Sequence, residues 1–314
     1  MVSSTIKPAV LILGATGQLG QIIADRLRIN NAISLTVTSR KSEQLPKLKE
    51  KYGHAVYLDL DDPRSFANAL TGIERLFLLT GYTVDMLVQS KAIVDAATKA
   101  GVKHIVHLGV FTPKADCYDP HFAWHQMVEV YIKASGISYT FLHPNCFMQN
   151  LTGFYGMVKN GKVRFYANDK KFGWIALEDV ADAAVKILIE GPSKHYGKDY
   201  WFSTEALNIQ EVAQILSEVT GQEFLDDSQS PEQFIKDFSA DKTYIDPYFF
   251  GVEQFFKQLV DGRMKYVSEV RDDLPKLIGR KGMTLKEWAK LHKNELIKLG
   301  ANTIQIGPMS LNKQ

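Results

Sequence analysis

Two hydrophobic rhythms alternate along the first half of the chain. Short β-branched or leucine-rich runs mark buried strands, and longer stretches with a 3.6-residue period mark helices. The run Ala9-Val10-Leu11-Ile12-Leu13 predicts a strand that stops at Gly14, after which Leu19, Ile22, Ile23 and Leu27 share one helix face. Strands follow at Leu35–Thr38, Val56–Leu58, Leu76–Leu79, Ile105–Leu108 and Tyr139–Leu142. Between them lie a polar helix Lys47–Tyr52, a helix opened by Asp62-Pro63, a long one from Asp85 to Ala100 closed by Gly101, and one from Phe122 to Ser135 closed by Gly136. An Asp-Pro start supplies a capping carboxylate and a residue that needs no N–H partner, and a terminal glycine accepts the left-handed turn that ends a helix. Strands and helices in strict alternation build a parallel sheet with helices on both faces, and right-handed crossovers make it doubly wound.

Beyond residue 150 the rhythm changes. Trp174–Leu177 and a helix over Val180–Ile189 return to the first domain, and Tyr200-Trp201-Phe202 adds a strand. Asn208 with Glu211 and Thr284 with Glu287 read as capping boxes, and Ser230-Pro231 opens a further helix. The expected architecture is a Rossmann-type α/β domain over residues 1–150, with a return segment near 172–204. Residues 151–171 and 205–314 form a smaller, mainly helical, substrate-binding domain. Met1–Lys7 reads as a short arm and Ala301–Gln314 as a loosely held tail.

The loop Gly14-Ala15-Thr16-Gly17-Gln18-Leu19-Gly20 lies between the first strand and the first helix. Gly14 permits the sharp exit from the strand, Gly17 lets main-chain amides approach a diphosphate, and Gly20 lets the helix pack tightly. The helix start then offers unpaired N–H groups and a positive dipole end to the phosphates. Where an NAD site places an acid at the end of the second strand, this chain has Ser39-Arg40-Lys41. Two cations suit the 2′-phosphate of NADP(H) better than the bare ribose of NAD(H), and Arg40 can grip it bidentately. Asp59 and Leu60, after the third strand, are placed to meet the adenine.

Four segments resemble the NmrA-like branch of the atypical short-chain dehydrogenase/reductases: Gly14–Gly20, Ser39–Lys41, Val102–Val106, and Ser135–Thr140 running on to Pro144–Asn150. The resemblance implies that Thr80 and Gly81 lie along the cofactor and that Pro144, Asn145, Cys146 and Phe147 sit near the nicotinamide. It implies an NAD(P)-dependent oxidoreductase acting on quinones, dyes or phenylpropanoids, or a dinucleotide-binding redox sensor without turnover. The chain departs from the wider superfamily at its proton-donor machinery. No Tyr-x-x-x-Lys occurs in His121-Phe122-Ala123-Trp124-His125-Gln126-Met127-Val128-Glu129, and Leu108-Gly109-Val110 lacks the expected Ser. His125 stands where related reductases carry Lys.

Histidine can supply the missing proton, because its unperturbed pKa is near neutrality. His125 is the first candidate and His143 the second; His107 and His121 complete a possible convergence, against plain structural roles for each. A zinc site from His121 and His125, completed by His143 or Asp119, is disfavoured, because the Glu that a zinc protease sets beside the first His is absent and the cofactor should occupy this space. Cys146 reads as quiet packing. The aromatics Phe154, Tyr155, Phe165, Tyr166, Phe172 and Trp174 wall a pocket or fill a second core, and Phe249, Phe250, Phe255 and Phe256 read as core or subunit contact.

Composition narrows the partners. The chain has 314 residues, 45% hydrophobic and 23% charged, with net charge +2. That balance lacks the basic field of a nucleic-acid binder. Two cysteines fit a reducing, cytoplasmic setting, and no apolar run reaches membrane-spanning length. The expectation is therefore a cytoplasmic monomer or homodimer. It reduces a small aromatic or conjugated carbonyl, imine or quinone with NADPH, with the non-turning-over sensor as the alternative.

Overall fold

The computed structural model describes residues 7–81, 83, 85–113, 119–153, 156–238 and 247–301. The arm before Lys7, Cys117, Phe154, Tyr155 and the tail after Ala301 lie outside these.

Six strands and six helices build the frame: β1 Ala9–Ile12, α1 Gln18–Arg28, β2 Ser34–Ser39, α2 Leu45–Tyr52, β3 Ala55–Tyr57, α3 Phe66–Leu70, β4 Arg75–Leu78, α4 Met86–Ala100, β5 His104–Leu108, α5 Pro120–Ala134, β6 Ser138–Pro144 and α6 Leu177–Glu190. With the strand Lys198–Phe202 they form one seven-stranded sheet, in the order Lys198–Phe202, β6, β5, β4, β1, β2, β3. Every pairing is parallel. Two-residue alternation sorts the sheet's side chains. Val10, Ile12, Val37, Phe77 and Val106 face α1 and α6, while Leu11, Leu13, Leu76, Leu78 and Phe141 face α3, α4 and α5. Both faces are covered, which is the Rossmann-like α/β layering that the alternation of patterns predicts.

The ends of the helices follow their chemistry. Asp119 caps α5 by accepting from the Phe122 amide (3.1 Å), with Pro120 in the first turn. Gly101 and Gly136 adopt φ of +77° and +78° beyond α4 and α5, where a side chain would be strained.

Trp174 and Ile175 lie in a strand, Phe172–Ile175, that stands outside the large sheet, while Leu177 opens α6, which packs in the first core. The strand pairs parallel with Cys146–Phe147 and antiparallel with Glu205–Leu207. The reason is steric: the Gly173 backbone lies against the Asn145 and Ser203 side chains, which draws the strand onto the chain leaving β6. A hairpin of Val158–Lys159 and Lys162–Phe165, extended by Leu225–Ser228, makes a third small sheet. Around these a second core gathers Trp174, Phe172, Tyr166, Phe234, Phe256 and Trp288. Phe165 stacks on Phe172 at 4.3 Å, so the described aromatics of this region are core. Phe250 stays exposed. No helix among the described residues is long and apolar enough to cross a membrane.

Arg75, at the start of β4, ties the return helix to the sheet. Its guanidinium donates to the carbonyls of Leu188 (2.5 Å) and Ile189 (2.8 Å), the last turn of α6. A cation there satisfies orphan carbonyls and complements the helix dipole. Arg75→Met is expected to lower unfolding free energy by about 1–3 kcal/mol, read as a lower urea midpoint with an unchanged denaturant slope.

Candidate functional site

The C-terminal ends of β1 to β6 share one edge, where ligands bind in open α/β sheets. At β1 the chain turns through Gly14 at φ +70°. A Cβ on Gly14 would lie 2.8 Å from Leu79 Cδ2, and one on Gly20 would overlap the Gly14 carbonyl oxygen. The Gly17 amide donates to that same carbonyl (2.9 Å). Gly17 is the N-cap of α1, with no side-chain cap and no acid in the first turn. Thr16, Gly17 and Gln18 are exposed, whereas Leu19 and Gly20 are buried. The first-turn amides therefore have no side chain competing for them. This cradle fits the diphosphate of a dinucleotide.

At β2, Ser39 Oγ donates to Gln44 Oε1 (2.8 Å) and accepts from the Lys41 amide (3.0 Å), which fixes the turn. Arg40 is half-buried and Lys41 exposed. Nearby Lys51 and Arg64 pair with Asp25 and Asp62 at 2.7 Å each, but no carboxylate among the described residues takes up Arg40 or Lys41. Two uncommitted cations at the ribose end fit a 2′-phosphate.

Other candidates on this edge are more occupied. The Asp59 amide accepts no ligand-like role of its own; it donates to Ser65 Oγ (3.1 Å), and the Asp59 carboxylate accepts from the Asp61 amide (3.1 Å). Leu60 is half-buried beside it. Thr80 Oγ1 is buried without a hydrogen-bond partner, and Gly81 is exposed. Pro144 is buried. Asn145 Nδ2 donates to the Val267 carbonyl (2.7 Å) and its Oδ1 accepts from the Cys146 amide (3.0 Å), so this side chain fastens the second core to the strand end. Burial pushes the Cys146 thiol up to about 12, and Asn150 donates to its sulfur, so it is inert as a nucleophile. Phe147 packs on the sheet core.

Under the edge lies a buried polar cluster between β5, β6 and α5. His107 and His125 face each other with ring centroids 5.7 Å apart. Burial holds His107 down at about 3, with the neighbouring His143 adding to the fall, and pushes His121 down to about 4. His125 is held well below the ordinary histidine range by burial and by three neighbouring imidazoles. Burial thus favours the neutral ring at His125, which keeps one N–H for hydrogen bonding but lacks the acidic proton of an imidazolium. His121 lies against the backbone of Gly251, under the helix Pro247–Val260.

His143 is clamped flat on Trp201, 3.8 Å between centroids and 8° between planes. Its Nδ1 faces the Val110 carbonyl (3.1 Å) and its Nε2 the Asp199 carboxylate (3.0 Å). Glu129 Oε1 lies 3.5 Å from Nδ1. Burial raises Glu129 to about 7, the charge of Asp199 adds to that, and His143 and Lys133 oppose it. Among the described residues, Glu129, His143 and Asp199 form a metal-compatible group, their ligand atoms within 4.8 Å of one another. His121, His125 and Asp119 do not join it. Sequence reading did not single out Glu129 or Asp199. Glu129 had a signal: it lies four residues after His125 on the buried stripe of α5, where a carboxylate is costly. Asp199 had none, because its contact with His143 depends on a register across 56 residues.

The NmrA-like family model matches residues 6–278. An NAD(P)H azoreductase of Xenophilus azovorans is 27% identical over 291 residues, covering 90% of this chain and 97% of that protein. Quinone oxidoreductase 2 of Escherichia coli is 27% identical, over 68% of this chain and 74% of its own length. The structure of the Citrobacter sp. triphenylmethane reductase complexed with NADP(H) superposes with a TM-score of 0.75 at 26% identity, covering 90% of this chain and 99% of that one.

The buried imidazoles make a pH prediction. Folded His107 binds fewer protons than unfolded between about 3 and 6.5, so its contribution to stability is complete above about 6.5 and is lost as pH falls through that window. Glu129 and Asp119, both raised to about 7, act with opposite sign. In His107→Leu, the slope of unfolding free energy against pH below about 6 should be shallower by up to about 1.4 kcal/mol per pH unit. Urea titrations at successive pH values measure it, and an unchanged slope refutes it.

Proposed function

Because the chain belongs to the NmrA-like family, we propose that it is an NADPH-dependent reductase of a small aromatic or conjugated carbonyl, imine or quinone. The observation that carries this reading is the glycine cradle at a helix start without a side-chain cap, joined on the same edge by two cations that pair with no carboxylate among the described residues. Gly14, Thr16, Gly17, Gln18, Leu19 and Gly20 hold the diphosphate, through main-chain amides and close backbone approach. Arg40 and Lys41 hold the 2′-phosphate, Asp59 and Leu60 border the adenine, and Thr80, Gly81 and Pro144–Phe147 line the rest of the groove. NADPH, when bound, supplies a hydride. The protein's own part is to orient the acceptor, exclude water and manage the accompanying proton. The described part of the smaller domain, within 156–171, 205–238 and 247–301, covers the acceptor. His125 serves as a neutral hydrogen-bonding group.

The relatives support this reading by what they reduce: an azo compound in one, a quinone in another, a triphenylmethane dye in a third. A second reading, a dinucleotide sensor without turnover, is favoured by the absent Tyr-x-x-x-Lys pair and the glycine where a Ser is expected. Loss of the nicotinamide absorbance with a panel of quinones, azo compounds and dyes supports the reductase. Binding of both redox forms without any turnover supports the sensor.

Arg40→Ala is expected to weaken NADPH binding by about 1–3 kcal/mol and NADH binding far less, measured by calorimetry. Equal weakening of both removes the 2′-phosphate role. His125→Ala should raise the Kd for NADPH or the KM for the acceptor more than it lowers kcat; a fall in kcat alone would make it the proton source.

A further inference from the structure

We propose that His143, Glu129 and the Val110 carbonyl form a binding site for one divalent metal ion of the zinc class, with Asp199 as the carboxylate that orients the histidine. The site is independent of the reductase reading, because metal binding alone decides it.

Both ring nitrogens of His143 face oxygen. Nε2 lies 3.0 Å from Asp199 Oδ1, and Nδ1 lies 3.1 Å from the Val110 carbonyl and 3.5 Å from Glu129 Oε1. A neutral imidazole has one N–H to give. Asp199, on the outermost strand with its side chain 38% exposed, offers a carboxylate, a stronger acceptor than a carbonyl, and takes that hydrogen. A lone pair on Nδ1 is left turned toward two further oxygens. Trp201 stacks on the ring at 3.8 Å and keeps it in this plane.

The facing carboxylate is equally short of a partner. Glu129 is 7% exposed, and among the described residues its Oε1 accepts no hydrogen bond. Buried carboxylates that persist in proteins are paired or bind a metal. Electron-pair donors from α5, β6 and the loop after β5 thus converge where only a cation would satisfy them together. Donors around a tetrahedral zinc stand about 3.3 Å apart, and the separations from His143 Nδ1, 3.1 and 3.5 Å, are of that size. Glu129, His143 and Asp199 offer ligand atoms within 4.8 Å of one another.

Gly109 makes the room. Its amide donates to the Leu142 carbonyl (2.8 Å), which fixes its backbone against β6. A Cβ there would stand 2.6 Å from Glu129 Oε1 and 3.3 Å from His143 Nδ1. Gly109 is not among the glycines with positive φ, so its role is space rather than backbone conformation. Asp199 on the Nε2–H completes a carboxylate–histidine–metal arrangement, which fixes the tautomer and makes the other nitrogen a better ligand. One imidazole with hard oxygens and no thiolate suits zinc rather than copper(I). An ion held there ties α5 to β6 and compensates the buried carboxylate.

Protein purified from zinc-supplemented cells should carry one zinc per chain by elemental analysis. After stripping with a chelator, Zn²⁺ should bind one per chain by calorimetry and raise Tm by about 5 °C at a hundredfold excess over Kd. X-ray absorption at the zinc edge should show one imidazole, oxygen donors and no sulfur. Asp199→Asn, at the exposed rim, should bind zinc about 10–100-fold more weakly. Glu129→Gln removes the charged ligand and Gly109→Ala fills the gap, so each should lose both the heat and the Tm rise. If one of these two does not fold, the other and Asp199→Asn decide. A wild-type protein that shows no zinc heat and no Tm shift overturns the proposal. So does zinc binding that persists unchanged in the variants, which would place the ion elsewhere, such as at His292 beside Glu295.

Discussion

The structure depends on how closely the first turn of α1 can approach the end of β1. The Gly14 carbonyl accepts from the Gly17 amide, and the Gly20 Cα sits so near it that any side chain would overlap. This contact sets the depth at which the helix lies on the sheet, and with it the direction in which the first-turn amides point. The left-handed Gly14 lets Leu79, the residue after β4, close over the turn. Three glycines thus exchange chain entropy for a backbone surface that no side chain obstructs. Everything else on the sheet edge, from Arg40 to Pro144, is positioned relative to that surface.

The second organising feature is a buried polar layer that a purely stabilising design would avoid. Four imidazoles and two carboxyls lie between β5, β6, α5 and the outer strand. Burial moves His107, His121 and His125 down and Asp119 and Glu129 up, each toward its uncharged form. The layer is therefore mostly neutral near pH 7. Its connection to charge and water is through Asp199 at the rim. Such an arrangement makes the cluster responsive to pH without requiring that any ion pair be broken in the core.

The sheet was legible because each strand carries its own local signal. Apolar β-branched runs, glycine stops and an Asp-Pro start need no knowledge of distant residues, and right-handed crossovers leave few topologies for the sheet. The glycine loop was legible for the same reason. The second part was less so. Glu205–Leu207 is short and mixed in polarity, and its pairing with Phe172–Ile175 is a contact between distant segments. The pattern around Trp174 is that of any buried strand and does not say which sheet it joins; in the structure Gly173 lies close against Asn145 and Ser203. Within the site, His125 and His143 could be named from their positions at strand ends and on α5. Their electrostatic condition could not, because it depends on depth of burial and on Asp199 arriving from the outer strand.

Cys146 has a consequence of its own. It lies on the sheet edge proposed to receive quinones, which are alkylating agents as well as oxidants. With the thiol at about 12, roughly one sulfur in a hundred thousand is a thiolate at neutral pH. Only the thiolate adds to an electrophilic ring or is taken up the oxidation ladder. The same burial that packs this residue against the second core thus renders it a poor target for the compounds that pass beside it. Under the proposed reductase reading, desolvation of the thiol by itself limits self-inactivation.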